Sequence, residues 1–156
     1  MKKPAPTPKE IVITRVFDAP RKLVWQAWTE PGHLARWWGP HQFTNPVCEL
    51  DLRPGGAIRV VMRGPDGTDY PMGGSFREID APGRLVMVTA ALDGQGRPMF
   101  EFLHTISFVE QKGRTTLTIR SRIISKTASD ADQYIAGTEA GMTQSLERLA
   151  AMLAKS

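Results

Sequence analysis

The chain has 156 residues, of which 41% are hydrophobic and 23% are charged, and these proportions are ordinary for one soluble globular domain with a sizeable core. The net charge is +4, but Lys and Arg are interleaved with Asp and Glu rather than grouped into a basic stripe, so we expect no nucleic-acid partner. Cys48 is the only cysteine, which excludes an intramolecular disulfide and favours a cytoplasmic location. No apolar run reaches the length of a membrane span.

The first predicted elements are a lead, a strand and two short helices. Residues 1–9 are rich in proline and lack the apolar core of a signal peptide, so we expect a disordered lead before a single domain over residues 10–154. Residues 10–18 read as a strand. Pro20 then suits the first turn of a helix over residues 21–29, and residues 33–38 predict a second short helix.

Six more strand-like segments follow, and most of them end in a turn rich in Gly, Pro or Asp. They cover residues 47–52, 57–63, 70–79, 84–92, 98–110 and 114–125. Because side chains alternate between the two faces of a strand, His104 belongs to the same apolar face as Phe102 and Ile106. Ile79 falls out of phase with Phe76, and this mismatch predicts a β-bulge.

The last predicted element is a long amphipathic helix over residues 130–154. Its apolar stripe consists of Ile135, Met142, Leu146, Leu149 and Leu153. Glu139 interrupts this stripe, and Gly137 and Gly141 each cost about 1 kcal/mol of helix stability relative to Ala. We therefore expect the second half of the helix to pack closely on the sheet and the first half to pack poorly.

This order of elements predicts an α+β protein with the helix-grip fold, in which a seven-stranded antiparallel sheet wraps around the long C-terminal helix. The motifs FDAPRKLVWQAWTEP (residues 17–31) and HLARWWGP (residues 33–40) resemble the N-terminal signature of the bacterial proteins related to the activator of heat-shock protein 90 ATPase. These proteins belong to the START-like, birch-pollen-allergen-like (SRPBCC) superfamily. Four further matching motifs are RPGG (residues 53–56), RGPDG (63–67), GSFREI (74–79) and GMTQSLERL (141–149).

The resemblance implies a hydrophobic cavity between the sheet and the long helix. The small side chains of Gly137, Thr138 and Gly141 favour such a cavity independently, and the alternative is a solid core in which the glycines let the short helices approach closely. Relatives often carry Trp where this chain has Met142, so we expect a more adaptable cavity here. The residues predicted to contact a ligand are Trp38, Val60, Met62, Met72, Phe76, Phe102, His104, Ile119, Ile135, Thr138, Glu139 and Met142.

Two of these residues, Glu139 and His104, are the polar side chains expected to point inward. A carboxylate in apolar surroundings can share a proton with a neighbouring imidazole, so they form a candidate acid–base pair or a recognition pair for a polar ligand head. The alternative is a structural hydrogen bond, or a Glu139 that is turned to the cavity mouth and solvated.

Other chemistries find no support in the sequence. His33, His41 and Cys48 are near one another but lie in a predicted helix, a loop and a strand without a recognised ligand spacing, so we predict no metal site and no cofactor. The chain contains no Gly-x-Ser-x-Gly motif of a serine hydrolase, and its Gly-rich turns do not match a phosphate-binding loop.

Three functions remain. The first is a small cytoplasmic protein that binds a hydrophobic, lipid-like or aromatic molecule. The second is an enzyme of the same fold, cyclase-like or hydrolase-like, that uses Glu139 and His104. The third is a co-chaperone-like interaction module, which the resemblance alone suggests. Antiparallel edge strands would also permit a homodimer.

Overall fold

The structure is a computed structural model that describes residues 10–126 and 131–154. The expectation of a disordered lead concerns residues 1–9, which lie outside that range. The elements in chain order are β1 (Glu10–Phe17), α1 (Arg21–Thr29), α2 (Pro31–Trp37), β2 (Thr44–Leu50), β3 (Ala57–Arg63), β4 (Asp69–Asp80), β5 (Arg84–Leu92), β6 (Pro98–Gln111), β7 (Arg114–Lys126) and α3 (Ala131–Ala154). This order confirms the predicted α+β helix-grip fold.

Within the described residues, seven strands form one antiparallel sheet in the order β1-β7-β6-β5-β4-β3-β2. Each strand from β2 to β6 pairs with the next one along the chain, whereas β1 pairs with β7. The register shifts between Phe76 and Glu78 on β4, which confirms the predicted bulge. Ile79 consequently lies opposite the buried Leu85 and returns to the inner face of the sheet.

The two short helices meet more tightly than the sequence predicts. α2 begins at Pro31, two residues before the predicted start at His33, because proline is preorganised for the first helical turn. Glu30 serves both helices at once: its N–H donates to the Gln26 carbonyl of α1, and it is the N-cap residue of α2. No helix in the described parts of the chain is long and apolar enough to cross a bilayer.

Aromatic side chains from α1 and α2 fill one end of the space between the helices and the sheet. The Trp28 ring contacts Trp37 edge to face at a centroid distance of 4.9 Å, and it contacts Trp38 and Phe108 at 6.0 and 6.4 Å. The Trp37 side chain is 0% exposed, and its indole N–H donates to the Ala27 carbonyl at 2.9 Å. Such ring pairs contribute about 0.5–1.5 kcal/mol each beyond their burial.

The second half of α3 closes the same end of the molecule. Leu146 and Leu149 are fully buried in the core. Arg148 donates to main-chain carbonyl oxygens at 2.9–3.1 Å, those of Arg36, Trp38, Gly39 and Pro40. Because these bonds join α3 to the end of α2 and the segment after it, they set the height of the helix above the sheet.

Candidate ligand-binding cavity

A cavity of about 440 Å³ lies between the inner face of the sheet and residues 137–145 of α3. This volume falls within the range of roughly 300–1,000 Å³ that small-molecule pockets occupy. Most of its lining is apolar, with flexible thioethers and aromatic rings: Trp38, Met62, Met72, Met99, Phe100 and Phe102. The helix contributes Gly137, Thr138, Gly141, Met142 and Ser145.

The glycines of α3 leave this space open. A Cβ atom added at Gly137 would have no neighbouring heavy atom within 4 Å, and one added at Gly141 would lie 3.7 Å from Pro40 Cγ, an ordinary van der Waals distance. These glycines therefore do not mediate a close contact between helices, as the solid-core alternative requires. They remove side-chain volume from the helix face that covers the cavity.

The buried polar side chains of the cavity are centred on His104, whose ring is 3% exposed. Antiparallel pairing places Ser121 of β7 directly opposite His104 of β6, and Thr89 of β5 lies diagonally across from it. His104 Nδ1 lies 2.6 Å from Ser121 Oγ, and Nε2 lies 2.9 Å from Thr89 Oγ1. The ring also stacks on Phe102 at a centroid distance of 5.6 Å. His104 and Thr89 line the cavity.

Burial keeps the His104 ring uncharged. Because an imidazolium would lose its hydration in this site, the pKa of His104 falls from 6.5 to about 4. A neutral imidazole has one N–H donor and one acceptor nitrogen. One ring nitrogen therefore donates to a hydroxyl group, and the other accepts from a second hydroxyl group.

Exposed lining residues mark the mouth of the cavity, where Tyr70 is 46% exposed. Asp69 accepts two hydrogen bonds from Arg63, at 2.7 and 3.2 Å, and these bonds lower the pKa of Asp69. The main-chain N–H of Arg97 donates to Asp93 at 2.9 Å and lowers the pKa of that carboxyl group. Both groups are thus carboxylates at neutral pH, and none of the described lining residues is Lys or Arg.

The structure brings together many of the predicted ligand contacts. Those that line the cavity are Trp38, Met62, Met72, Phe102, His104, Thr138 and Met142. Others lie in the filled core, away from the cavity: Val60, Phe76 and Ile119. The side chain of Ile135 lies outside the described residues. That any of these residues contacts a ligand stays a prediction.

Glu139 does not reach the cavity, and the expected pair with His104 does not form. Glu139 is exposed and absent from the cavity lining. An α-helix advances about 100° per residue, so the helix face that Gly137, Gly141 and Ser145 present to the cavity leaves Glu139 turned away. His104 contacts hydroxyl groups instead of a carboxylate. The solvated alternative for Glu139 is the one that the structure contains.

Sequence reasoning missed two polar residues of the site. Thr89 has the same strand parity as the buried residues Leu85 and Met87, and this parity would have placed it on the inner face. Ser145 lies one helical turn after Gly141; it donates to the Gly141 carbonyl at 2.9 Å and accepts from the Gly39 N–H at 2.9 Å. No local pattern in the sequence signals the second bond, because it joins segments 106 residues apart.

The described residues offer little basis for a metal site or for a reactive cysteine. Among the described residues, no group of three or more His, Cys, Asp or Glu side chains is arranged to hold a metal ion. Burial raises the pKa of Cys48 to about 11. The thiol therefore stays protonated at neutral pH and is a weak nucleophile.

The chain is similar to a family model and to several solved structures. The model described as Activator of Hsp90 ATPase homolog 1-like protein matches residues 18–154. A protein from Arthrobacter aurescens is 31% identical, with a TM-score of 0.82, and the match covers 94% of this chain and 87% of that one. A protein from Mycobacterium smegmatis is 28% identical, with a TM-score of 0.79 and coverage of 92% and 90%. A protein from Nitrosomonas europaea is 26% identical, with a TM-score of 0.77 and coverage of 94% of both chains.

None of the curated proteins matches the chain. The family match nevertheless spans every described element except the first strand. It also agrees with the resemblance that the sequence motifs carry. The chain therefore belongs to the family of Activator of Hsp90 ATPase homolog 1-like proteins.

Proposed function

We propose that this protein binds a hydrophobic small molecule, lipid-like or aromatic, in the cavity beneath the first half of α3. The observation that carries the proposal is a space of about 440 Å³ with a mainly apolar lining and a few buried polar groups. Burial of apolar ligand surface contributes about 25 cal/mol per Å². The few polar groups would fix the orientation of the ligand.

The methionine side chains support a ligand pocket of adjustable shape. Met62, Met72, Met99 and Met142 all line the cavity. Methionine is unbranched and polarisable, so it can change rotamer to follow different apolar surfaces at little energetic cost. A cavity of this composition suits a class of related ligands better than one rigid molecule.

Binding is favoured over acid–base catalysis by Glu139 and His104. The carboxylate of Glu139 is exposed, whereas the His104 ring is buried and occupied by Thr89 and Ser121. A general acid and base must come within hydrogen-bond reach of the same substrate. A cytoplasmic location is part of the proposal, because the single cysteine leaves the chain without an intramolecular disulfide.

The direct test is a titration with N-phenyl-1-naphthylamine, a neutral fluorophore that brightens in apolar surroundings. We expect saturable binding of one molecule per chain. In a Gly137→Trp variant the indole can enter the empty space beside the helix and should weaken binding at least about tenfold. The matched control is Ala140→Trp, at an exposed position of the same helix that does not line the cavity.

The paired variants make the outcome specific to the cavity. Weaker binding in Gly137→Trp alone supports the proposal. No saturable signal with the unmodified protein would overturn it, and so would an equal loss in both Trp variants. Thermal melting of each variant checks that the fold is retained.

A second candidate function is a co-chaperone-like interaction, since the family description names an activator of Hsp90 ATPase. An exposed apolar strip on the outer face of the sheet favours it. Val16 and Val109 lie in one cross-strand row on either side of Thr116, and they are 55% and 54% exposed. The test is the rate of ATP hydrolysis by a bacterial Hsp90 with and without this protein. An unchanged rate would remove this candidate.

A further inference from the structure

The charges around the cavity disfavour an anionic ligand. The charged side chains in its described lining are Asp69 and Asp93. Their partners, Arg63 and Arg97, face these carboxylates and do not line the cavity. An incoming carboxylate would therefore pass two acidic side chains and meet no cationic side chain among the described lining residues.

The buried polar groups offer an anion only uncharged partners. His104, Thr89 and Ser145 are 3–4% exposed. Transfer of a carboxylate from water to such a site without a compensating charge is strongly unfavourable. Protonation of His104 would supply that charge, but its lowered pKa of about 4 makes protonation costly at neutral pH.

Counting hydrogen bonds identifies what the buried polar groups can still offer a ligand. The Ser145 hydroxyl donates to the Gly141 carbonyl and accepts from the Gly39 N–H, so it has no donor left and keeps one acceptor site. Both nitrogens of His104 are occupied. Thr89 combines a place in the cavity lining with a hydroxyl oxygen that has two acceptor sites and one donor, of which His104 takes one.

The hydrogen-bonding sites that remain free on the Thr89 hydroxyl favour a ligand that donates a hydrogen bond. If His104 Nε2 accepts from Thr89, the hydroxyl oxygen keeps its lone pairs and can only accept from a ligand. If Nε2–H donates to Thr89 instead, the hydroxyl can still accept once more and can also donate. A ligand hydroxyl is therefore satisfied in both tautomers of His104, whereas a carbonyl or carboxylate oxygen is satisfied in only one.

Resting on the proposed function, we propose that the ligand is an uncharged amphiphile whose alcoholic or phenolic hydroxyl donates to Thr89 Oγ1. Its apolar body lies among the methionine and aromatic side chains toward the mouth. Ser121 lies behind His104 and holds the ring from the side opposite Thr89. Free fatty acids whose apolar chain is as long as that of this amphiphile are excluded as ligands.

The experiment is displacement of N-phenyl-1-naphthylamine at pH 7.5 by three probes of nearly equal size: 1-decanol, methyl nonyl ether and decanoate. We expect decanol to compete about three- to tenfold better than the ether, which cannot donate a hydrogen bond. Decanoate should compete at least about tenfold less well than decanol. This comparison needs no variant and therefore does not depend on whether a mutant folds.

Two substitutions then locate the effect. Thr89→Val keeps the shape of the side chain but removes the hydroxyl, so the preference for decanol over the ether should disappear. Thr89→Ser keeps the hydroxyl, so the preference should persist. A preference that survives in Thr89→Val would overturn the inference, as would decanoate that matches decanol or decanol that fails to displace the fluorophore. In each of these cases, fluorophore binding that is weakened by Gly137→Trp but not by Ala140→Trp would leave the proposed function standing.

Discussion

The two ends of the interface between α3 and the sheet share one helix and one sheet but differ in packing. At the aromatic end, Trp37, Leu146 and Leu149 are fully buried and the space is filled. At the cavity end, Gly137 and Gly141 face about 440 Å³ of open space. The difference arises from side-chain volume along a single helix. Where the side chains are large the helix seals the sheet, and where they are small it spans a gap.

The filled end holds the helix in place for the open end. α3 packs on α1, α2 and β1, and Arg148 binds carbonyl groups at the end of α2 and just after it. Protein interiors are normally packed as densely as organic crystals. A cavity of this size can persist only when neighbouring contacts keep the helix from collapsing onto the sheet. Stability is thus assigned to the second half of α3, and the proposed binding to the first half.

The largest expected contrast comes from truncating one large side chain at each end. Trp37→Ala should reduce the free energy of unfolding by about 3–5 kcal/mol, because it leaves a cavity in a filled core. Met72→Ala should cost less than about 1.5 kcal/mol, because the half-buried Met72 already borders open space and has fewer contacts to lose. Urea denaturation measures both changes. Equal losses would contradict the assignment of stability to the aromatic end.

The next contrast uses the pH dependence of the free energy of unfolding to test how completely water is excluded from His104 at the cavity end. The pKa of folded His104 is about 4 and its ordinary value is 6.5, so between these values the unfolded chain binds a proton that the folded chain does not. The contribution of His104 is therefore fully present above about pH 6.5 and is lost as the pH falls toward 4. The total loss should reach about 3 kcal/mol.

The matched reference for this measurement is His104→Gln, whose side chain does not titrate. Urea denaturation of both proteins at several pH values gives the difference in stability. We expect the unmodified protein to lose stability faster than the variant as the pH falls from 6.5 to 4. Parallel pH profiles would mean that water or a rearrangement solvates the ring, and the cavity end would then be more open than its geometry indicates.

The smallest expected effect is a gain in stability at the open end. Gly137→Ala should raise the free energy of unfolding by up to about 1 kcal/mol, because Ala favours the helix and its Cβ meets no atom within 4 Å. The contrasting substitution is Gly74→Ala on β4, where the Cβ would fall within clashing distance of the Val88 carbonyl oxygen. That variant should be destabilised. A loss of stability in Gly137→Ala would show that the helix needs this glycine for a reason other than empty space.

Much of the fold could be predicted from local patterns. Alternation along β6 placed His104 on the inner face with Phe102, and the break in alternation along β4 predicted the bulge that restores Ile79 to that face. The stripe of α3 correctly separated the sealing residues Leu146 and Leu149 from the glycine-containing first half. These features depend on periodicities of a few residues, and the sequence expresses such periodicities directly.

The candidate site was harder to predict, because strand parity specifies a face of the sheet but not a position on that face. Val60, Phe76 and Ile119 point inward as their parity requires, yet they lie in the filled core and not in the cavity. Glu139 was expected to point inward because of its place in the apolar stripe. The rotation of α3 instead turns it to solvent.

The sequence by itself therefore determined the order of the elements, the inner face of each strand and the half of α3 that lacks bulk. Only the tertiary structure decided which inward residues share a cavity and that His104 meets Thr89 and Ser121 instead of Glu139. The physical reason is the range of the deciding contacts. Arg148 and the Trp38 carbonyl are 110 residues apart in the chain. Such contacts fix where α3 crosses the sheet and how it is rotated, and no short-range pattern encodes either quantity.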